Sequence, residues 1–243
     1  MLKELFEHIQ KTAHPLITNV DGHTFRITSD GDVSELIYDH FRPDTLQLHS
    51  LDALVKLVRT EATEDDTPLY ITIPDHLTAR CFAQFDRDDL CHRQTYYEAR
   101  ATDVPGWDSR MGLGFEEAQI AMRTRFQDTP DVLYLQKLLS DISCGGKVTL
   151  NDNGIATSVV TQKGVALQTN EAIRPIVTLR PYRTFQEVKQ PESPFLIRVN
   201  ERQINFIEAD GGMWKLKARE TVKAHLEQLL ADEVACGAVV VAL

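Results

Sequence analysis

LYITIPDHLTARCFAQFDRDDLCHRQTYYEARA, residues 69–101, decides the fold class. Three strand-like runs follow one another here: Leu69–Ile73, Thr78–Phe85 and Arg93–Ala101. Thr, Tyr, Phe and Ile recur in them, and Pro74 and the acidic stretch Asp86–Asp89 punctuate them. No helix alternates with these strands, and no Rossmann spacing appears. The pattern predicts an α+β fold with a mainly antiparallel sheet.

Working toward the N-terminus, Ser50 is placed to cap a helix reaching about Ala62, with Leu51, Leu54, Val55 and Val58 on one face. Residues 16–20 and 23–28 flank Asp21-Gly22, a pair suited to a two-residue hairpin turn because both positions need positive φ. Val33–Tyr38 adds a further strand. Leu2, Leu5, Phe6 and Ile9 form a short helical stripe over residues 1–12.

Toward the C-terminus, Val104-Pro105-Gly106-Trp107 is a turn. Phe115–Phe126 and a run opened by Thr129-Pro130 read as two helices, the second closed by Gly145-Gly146. A second hairpin spans residues 147–162 around Asp152-Asn153-Gly154. Val165–Leu167, Ile176–Leu179, Phe195–Val199 and Ile204–Glu208 are strand candidates. A long helix, about Trp214–Leu230, precedes a final buried strand, Val239–Leu243. Four to five helices are expected in all. The domain organisation expected is a helix plus hairpin over 1–45, able to serve as an assembly arm, an α+β half over 46–145, and a β-rich half over 146–243, with the Gly pair as the boundary between halves.

At 243 residues and 42% apolar content the chain buries a sizeable core, which excludes disordered and collagen-like classes. A net charge of −10 disfavours non-specific binding to duplex phosphate. No run approaches the roughly 18–20 apolar residues that span a bilayer, so no membrane partner is expected. The start of the chain lacks the apolar core of a signal peptide. Cys81, Cys91, Cys144 and Cys236 are scattered, as in reduced thiols of a cytoplasmic protein.

From Thr161 onward several strings stand together. They are Lys163-Gly164-Val165-Ala166, the run VTLRPYRTF at 177–185, QPESPF at 190–195 and EADGGMWKL at 208–216. Leu48-His49-Ser50-Leu51, the strand from Leu69 and the Gly106-Trp107 turn fit with them. The chain resembles the YfdQ-like family of uncharacterised phage and prophage proteins over most of its length. The resemblance implies a phage or prophage origin, action inside the host cell and self-association. It brings no catalytic residues.

Residues 172–202 are the one locally basic stretch. Arg174, Arg180, Arg183, Lys189, Arg198 and Arg202 stand against Glu187, Glu192 and Glu201, six basic against three acidic residues, or +3. Tyr182 and Phe185 lie among them. Arginine beside an aromatic ring grips phosphate and stacks on a base. Arg174, Arg180, Tyr182, Arg183 and Phe185 are therefore the candidate ligand-binding residues, for a nucleotide or single-stranded nucleic acid. The competing interpretation is a proline-punctuated arm, with Pro175, Pro181, Pro191 and Pro194, whose arginines pair with acidic residues of this chain or of a neighbouring subunit.

Other constellations carry less. Glu208-Ala209-Asp210-Gly211-Gly212 ahead of a helix has the glycines of an anion cradle, but its carboxylates repel phosphate. It reads better as a tight turn docking Trp214, with Asp210 as the cap. Cys81, Cys91 and His92 lack zinc spacing. Cys144 lies at a helix end, where the dipole disfavours a thiolate. Asp86, Asp88 and Asp89 near Glu98 and Asp103 are interrupted by Arg87 and Arg93, unlike a nuclease metal site. Gly145-Gly146-Lys147 is no P-loop. No catalytic residue, metal or cofactor is expected. The charge-free run Val239–Leu243 lies centrally in a sheet or adds to a neighbouring chain. The expected function is a non-enzymatic, self-assembling phage accessory protein. Nucleotide or single-stranded nucleic-acid capture through 174–202 is the alternative.

Overall fold

The computed structural model describes residues 3–4, 16–28, 30–36, 44–61, 67–85, 93–107, 112–144, 147–152, 157–163, 166–200 and 203–243. Most of the expected first helix, the Gly145-Gly146 pair, Cys91, His92 and the Asp86–Asp89 stretch lie outside them. The backbone separates into two compact units, Met1–Pro43 and Asp44–Leu243.

The first unit contains a three-stranded antiparallel sheet, β1 (Leu16–Val20), β2 (His23–Ile27) and β3 (Val33–Glu35). Its β1–β2 turn takes φ of 51° at Asp21 and 89° at Gly22. Both central residues are thus left-handed, the mirror-image turn that matches strand twist. Asn19 Oδ1 accepts the Gly22 N–H at 3.1 Å and closes it.

Among its described residues the second unit holds three sheets. The largest has the order β15-β5-β6-β7-β4. Its centre is the antiparallel meander β5 (Leu69–Asp75), β6 (Thr78–Phe82) and β7 (Thr95–Arg100), the three strands expected from 69–101. Two short strands flank it in parallel, β4 (Leu46–Leu48) against β7 and β15 (Val239–Ala242) against β5. One face is apolar: Ile71, Ile73, Ala79, Cys81 and Ala99 are fully buried. Helices α1 (Leu51–Glu61) and α4 (Trp214–Leu229) lay Leu51, Leu54, Val58, Val222 and Leu226 against that face. Each such side chain contributes about 1.5–3 kcal/mol on burial. The opposite face is half-exposed and carries the cross-strand pair Arg80–Glu98, 2.6 Å apart.

Of the two positions that the sequence leaves open for the final strand, the central one is not taken, for β15 is the outermost strand of its sheet among the described residues. Val239 and Val241 point into the core, at 1% and 8% exposure, while Val240 is 43% exposed. An uncharged run shows apolarity but not which side of it is covered. Here only the α4 side is.

A second sheet has the order β12-β13-β14-β8, from β8 (Leu113–Gly114), β12 (Ile176–Leu179), β13 (Ser193–Val199) and β14 (Gln203–Glu208). It packs Val177, Phe195, Ile197, Ile204 and Phe206 against Met122 of α2 (Phe115–Thr124) and against Leu135 and Leu139 of α3 (Pro130–Cys144). Thr129 Oγ1 accepts the Val132 N–H at 3.2 Å, so the Thr-Pro start of α3 acts as its sequence implies. The third sheet, β9 (Lys147–Asp152), β10 (Thr157–Lys163) and β11 (Ala166–Ala172), is an antiparallel meander. A five-residue helix, α5 (Ala231–Ala235), links α4 to β15.

The fold is α+β, with mostly antiparallel sheets and five helices among the described residues, and it ends in a long helix followed by a strand. No helix among the described residues is long and apolar enough to cross a membrane.

Candidate ligand-binding cleft

The basic stretch is woven into the second unit rather than lying across it as an arm. Pro191 and Pro181 are buried, and Pro194 sits within β13. Between β12 and β13 the chain turns at residues 180–192, and one side chain organises this loop. Gln190 is 1% exposed. Its Oε1 accepts the backbone N–H groups of Arg183, at 2.8 Å, and Thr184, at 3.2 Å. Its Nε2 donates to the Phe185 carbonyl at 2.8 Å. A buried loop has no water to satisfy its backbone, so the glutamine takes that role. Thr184 Oγ1 donates to the His76 carbonyl at 2.5 Å and ties the loop to the β5–β6 turn.

These anchors fix the candidate residues differently. Phe185 is 1% exposed in the α1–α4 core and offers no free face to a base. Arg174 pairs with Asp131 at 3.0 Å, and its guanidinium lies 4.6 Å from the Tyr134 ring centre. Arg180 pairs with Glu192. Tyr182 is half-buried, with its N–H bonded to the Arg125 carbonyl at 2.9 Å. Arg174 and Arg180 are thus held by acidic residues of the same chain.

Arg183 is different. Its side chain is 3% exposed. The guanidinium is 4.4 Å from the Trp214 ring centre and 5.2 Å from that of Phe195, so it lies between the start of α4 and the second sheet. Nη2 is 3.0 Å from Glu208 Oε1, within ion-pair range but off the line of a hydrogen bond. Nε, Nη1 and Nη2 have no hydrogen-bond acceptor among the described residues. Burial pulls this guanidinium down to about 10, against the opposing effect of Glu208 and Asp210, and at neutral pH it remains a full cation.

Arg183 lines a cleft of about 370 Å3. The other walls are His76 from the β5–β6 turn, Thr102 and Trp107 from the loop after β7, and Trp214 and Lys215 from α4. Trp107 packs edge-on against Phe126 and Phe206, and its Nε1 is buried with no partner among the described residues. Trp214 donates Nε1–H to Glu208 Oε2 at 3.2 Å and meets the His76 ring edge-on at 4.8 Å. His76 is held below its ordinary range by burial, with Lys215 and Arg183 adding to the effect and Asp75 opposing it. It is therefore neutral at pH 7. A second cleft of about 300 Å3, lined by His49, Asp103 and Gln186 among others, shares the wall Ala101, Thr102 and Val104.

The glycine turn before α4 is no anion cradle. Asp210 Oδ1 accepts the Gly212 N–H and Oδ2 the Trp214 N–H, each at 3.0 Å, so the amides there are taken. Cys81 is buried in β6, and Glu98 is engaged by Arg80. Among the described residues no cluster of His, Cys, Asp and Glu is arranged to hold a metal ion.

Of the five candidates, the structure brings only Arg183 into this cleft. His76, Trp107, Trp214 and Lys215 join it from segments whose sequence reads as turn or core. No family model, curated protein or solved structure matches the chain. The resemblance to the YfdQ-like family therefore rests on the quoted residues alone.

Proposed function

We propose that this chain binds a small, ring-bearing ligand of the nucleoside or nucleotide class in the Arg183 cleft, and holds it without chemical conversion. The supporting observation is Arg183 itself, a cation 3% exposed whose donors, though one is 3.0 Å from Glu208, complete no hydrogen bond among the described residues, beside two indoles in a cleft of about 370 Å3. The half-buried Trp107 ring can stack on a planar group, whereas Trp214 is 7% exposed and already faces the Arg183 guanidinium, which is itself costly to bury until its hydrogen bonds are met. A single-stranded polymer is less favoured, because Arg174 and Arg180 are already paired and the chain carries −10 overall. The test is thermal unfolding with a panel of nucleosides and nucleotides at millimolar concentration. A ligand present at 100 times its Kd adds about 2.7 kcal/mol, roughly 5–10 °C. No shift with any of them, or a shift unchanged in Trp107→Ala, removes the proposal.

A second reading is self-association of a phage accessory protein, favoured by one feature. The outer edge of β15 has no partner strand among the described residues, and Val240 and Leu243 beside it are 43% and 46% exposed. Light-scattering mass at several concentrations tests it. An oligomer that Val240→Lys dissociates supports this reading, and a strict monomer at micromolar concentration sinks it.

A further inference from the structure

Among the described residues, the fully buried side-chain atoms around the cleft that lack a hydrogen-bond partner are all donors: Arg183 Nε, Nη1 and Nη2, and Trp107 Nε1. Neither side chain can accept, so what completes them is an acceptor. The charge of that acceptor is constrained by what already surrounds Arg183. Glu208 Oε1 lies 3.0 Å from Nη2, and the Asp210 carboxylate acts on the same guanidinium. The cation is thus already balanced. A phosphate brought against Arg183 would put its charge beside Glu208 in a site largely closed to water, where like charges are poorly screened. A neutral carbonyl oxygen fills the same donors without adding charge. The place for an anionic group is elsewhere, at Lys215, which is exposed with Nζ 5.7 Å from the Trp214 ring centre.

We infer that Arg183 and Trp107 recognise a ring carbonyl, so that the cleft takes an oxo-substituted nucleobase and leaves the phosphate toward Lys215. This rests on the nucleoside reading of the cleft and assigns what its floor selects. An amino group in the oxo position would point donor at donor and leave buried groups unpaired, which discriminates more strongly than lost contact area alone.

Calorimetric titration with inosine and adenosine, each with and without a 5′-phosphate, tests it. The two rings differ at C6, oxo against amino, and at the adjacent N1, which carries a proton in inosine and a lone pair in adenosine. Inosine is expected to bind more than fivefold tighter than adenosine, with or without phosphate. Trp107→Phe, which removes one donor and keeps the ring, should shrink that ratio. Arg183→Lys should abolish it, with thermal melting used to confirm that the variant is folded. A preference of fivefold or less, a ratio unchanged in Trp107→Phe, or binding only of the phosphorylated forms overturns this inference and leaves the nucleotide reading standing. No binding of any of the four also overturns this inference, and no shift across the whole nucleoside and nucleotide panel removes the broader reading with it.

Discussion

Replacing Gln190 with leucine isolates the contribution of the loop that carries Arg183. The two side chains are similar in volume, so the cavity term is small and the effect falls on hydrogen bonding. The N–H groups of Arg183 and Thr184 lose their acceptor, the carbonyls of Thr184 and Val188 lose longer bonds of 3.5 and 3.3 Å, and the Phe185 carbonyl keeps only the Val188 N–H at 3.4 Å. Each orphaned group costs about 1–3 kcal/mol. With local relaxation admitting some water, the total is roughly 3–5 kcal/mol. For a unit of this size that lowers the melting temperature by roughly 6–20 °C. The same loss frees the loop, so ligand binding at Arg183 should weaken in the folded fraction as well. Urea denaturation followed by circular dichroism gives the stability change, and titration below the melting transition gives the binding change. A midpoint within about 0.5 kcal/mol of the parent would refute the argument. It would mean that water or an alternative partner satisfies the loop without the glutamine.

Asp210→Ala removes the acceptor of the Gly212 and Trp214 N–H groups and should destabilise by about 1–2 kcal/mol, with Asp210→Asn closer to the parent, as read from urea midpoints. His76 adds a pH dependence. Its folded pKa lies below the unfolded value, so as pH falls through the ordinary histidine range the unfolded chain takes up a proton before the folded one does. Stability is therefore full above that range and declines as pH drops toward the folded value. Denaturation at pH 7.5 and 5.5 should show a smaller decline in His76→Gln than in the parent, and equal declines would exclude the histidine.

The elements with strong local pattern were legible in the sequence. Asp21-Gly22, Ser50 with Leu51, Leu54 and Val58, and Thr129-Pro130 each specify a turn, a helix face or a cap through short-range chemistry. The long helix from Trp214 shows in its apolar spacing. What stayed hidden depends on partners far away in the chain. Leu46–Leu48 is a strand because β7 lies beside it, and three residues carry too little period to reveal that. Ala231–Ala235 is one short helical turn set by the return of α4 to the sheet. The site followed the same division. Arginine and aromatic density in 174–185 pointed to Arg183, yet composition could not separate it from Arg174 and Arg180. That separation is made by Asp131, Glu192 and Glu208, two of them outside the basic run, and by burial between Trp214 and Phe195. Trp107 and His76 lie in turns whose local sequence only breaks the chain, so nothing nearby in the sequence marks them as walls of a cleft.

The parallel docking of β15 on β5 has a consequence for biosynthesis. Leu69 pairs with Val239, so β5 emerges from the ribosome 170 residues ahead of its neighbour. At about 5–20 residues per second, one margin of the meander waits roughly 10–30 s without its partner strand, its peptide groups bonded to water. During that interval the nascent chain is open to mispairing and to chaperone engagement, and the five-stranded arrangement closes only once residues 239–242 have emerged.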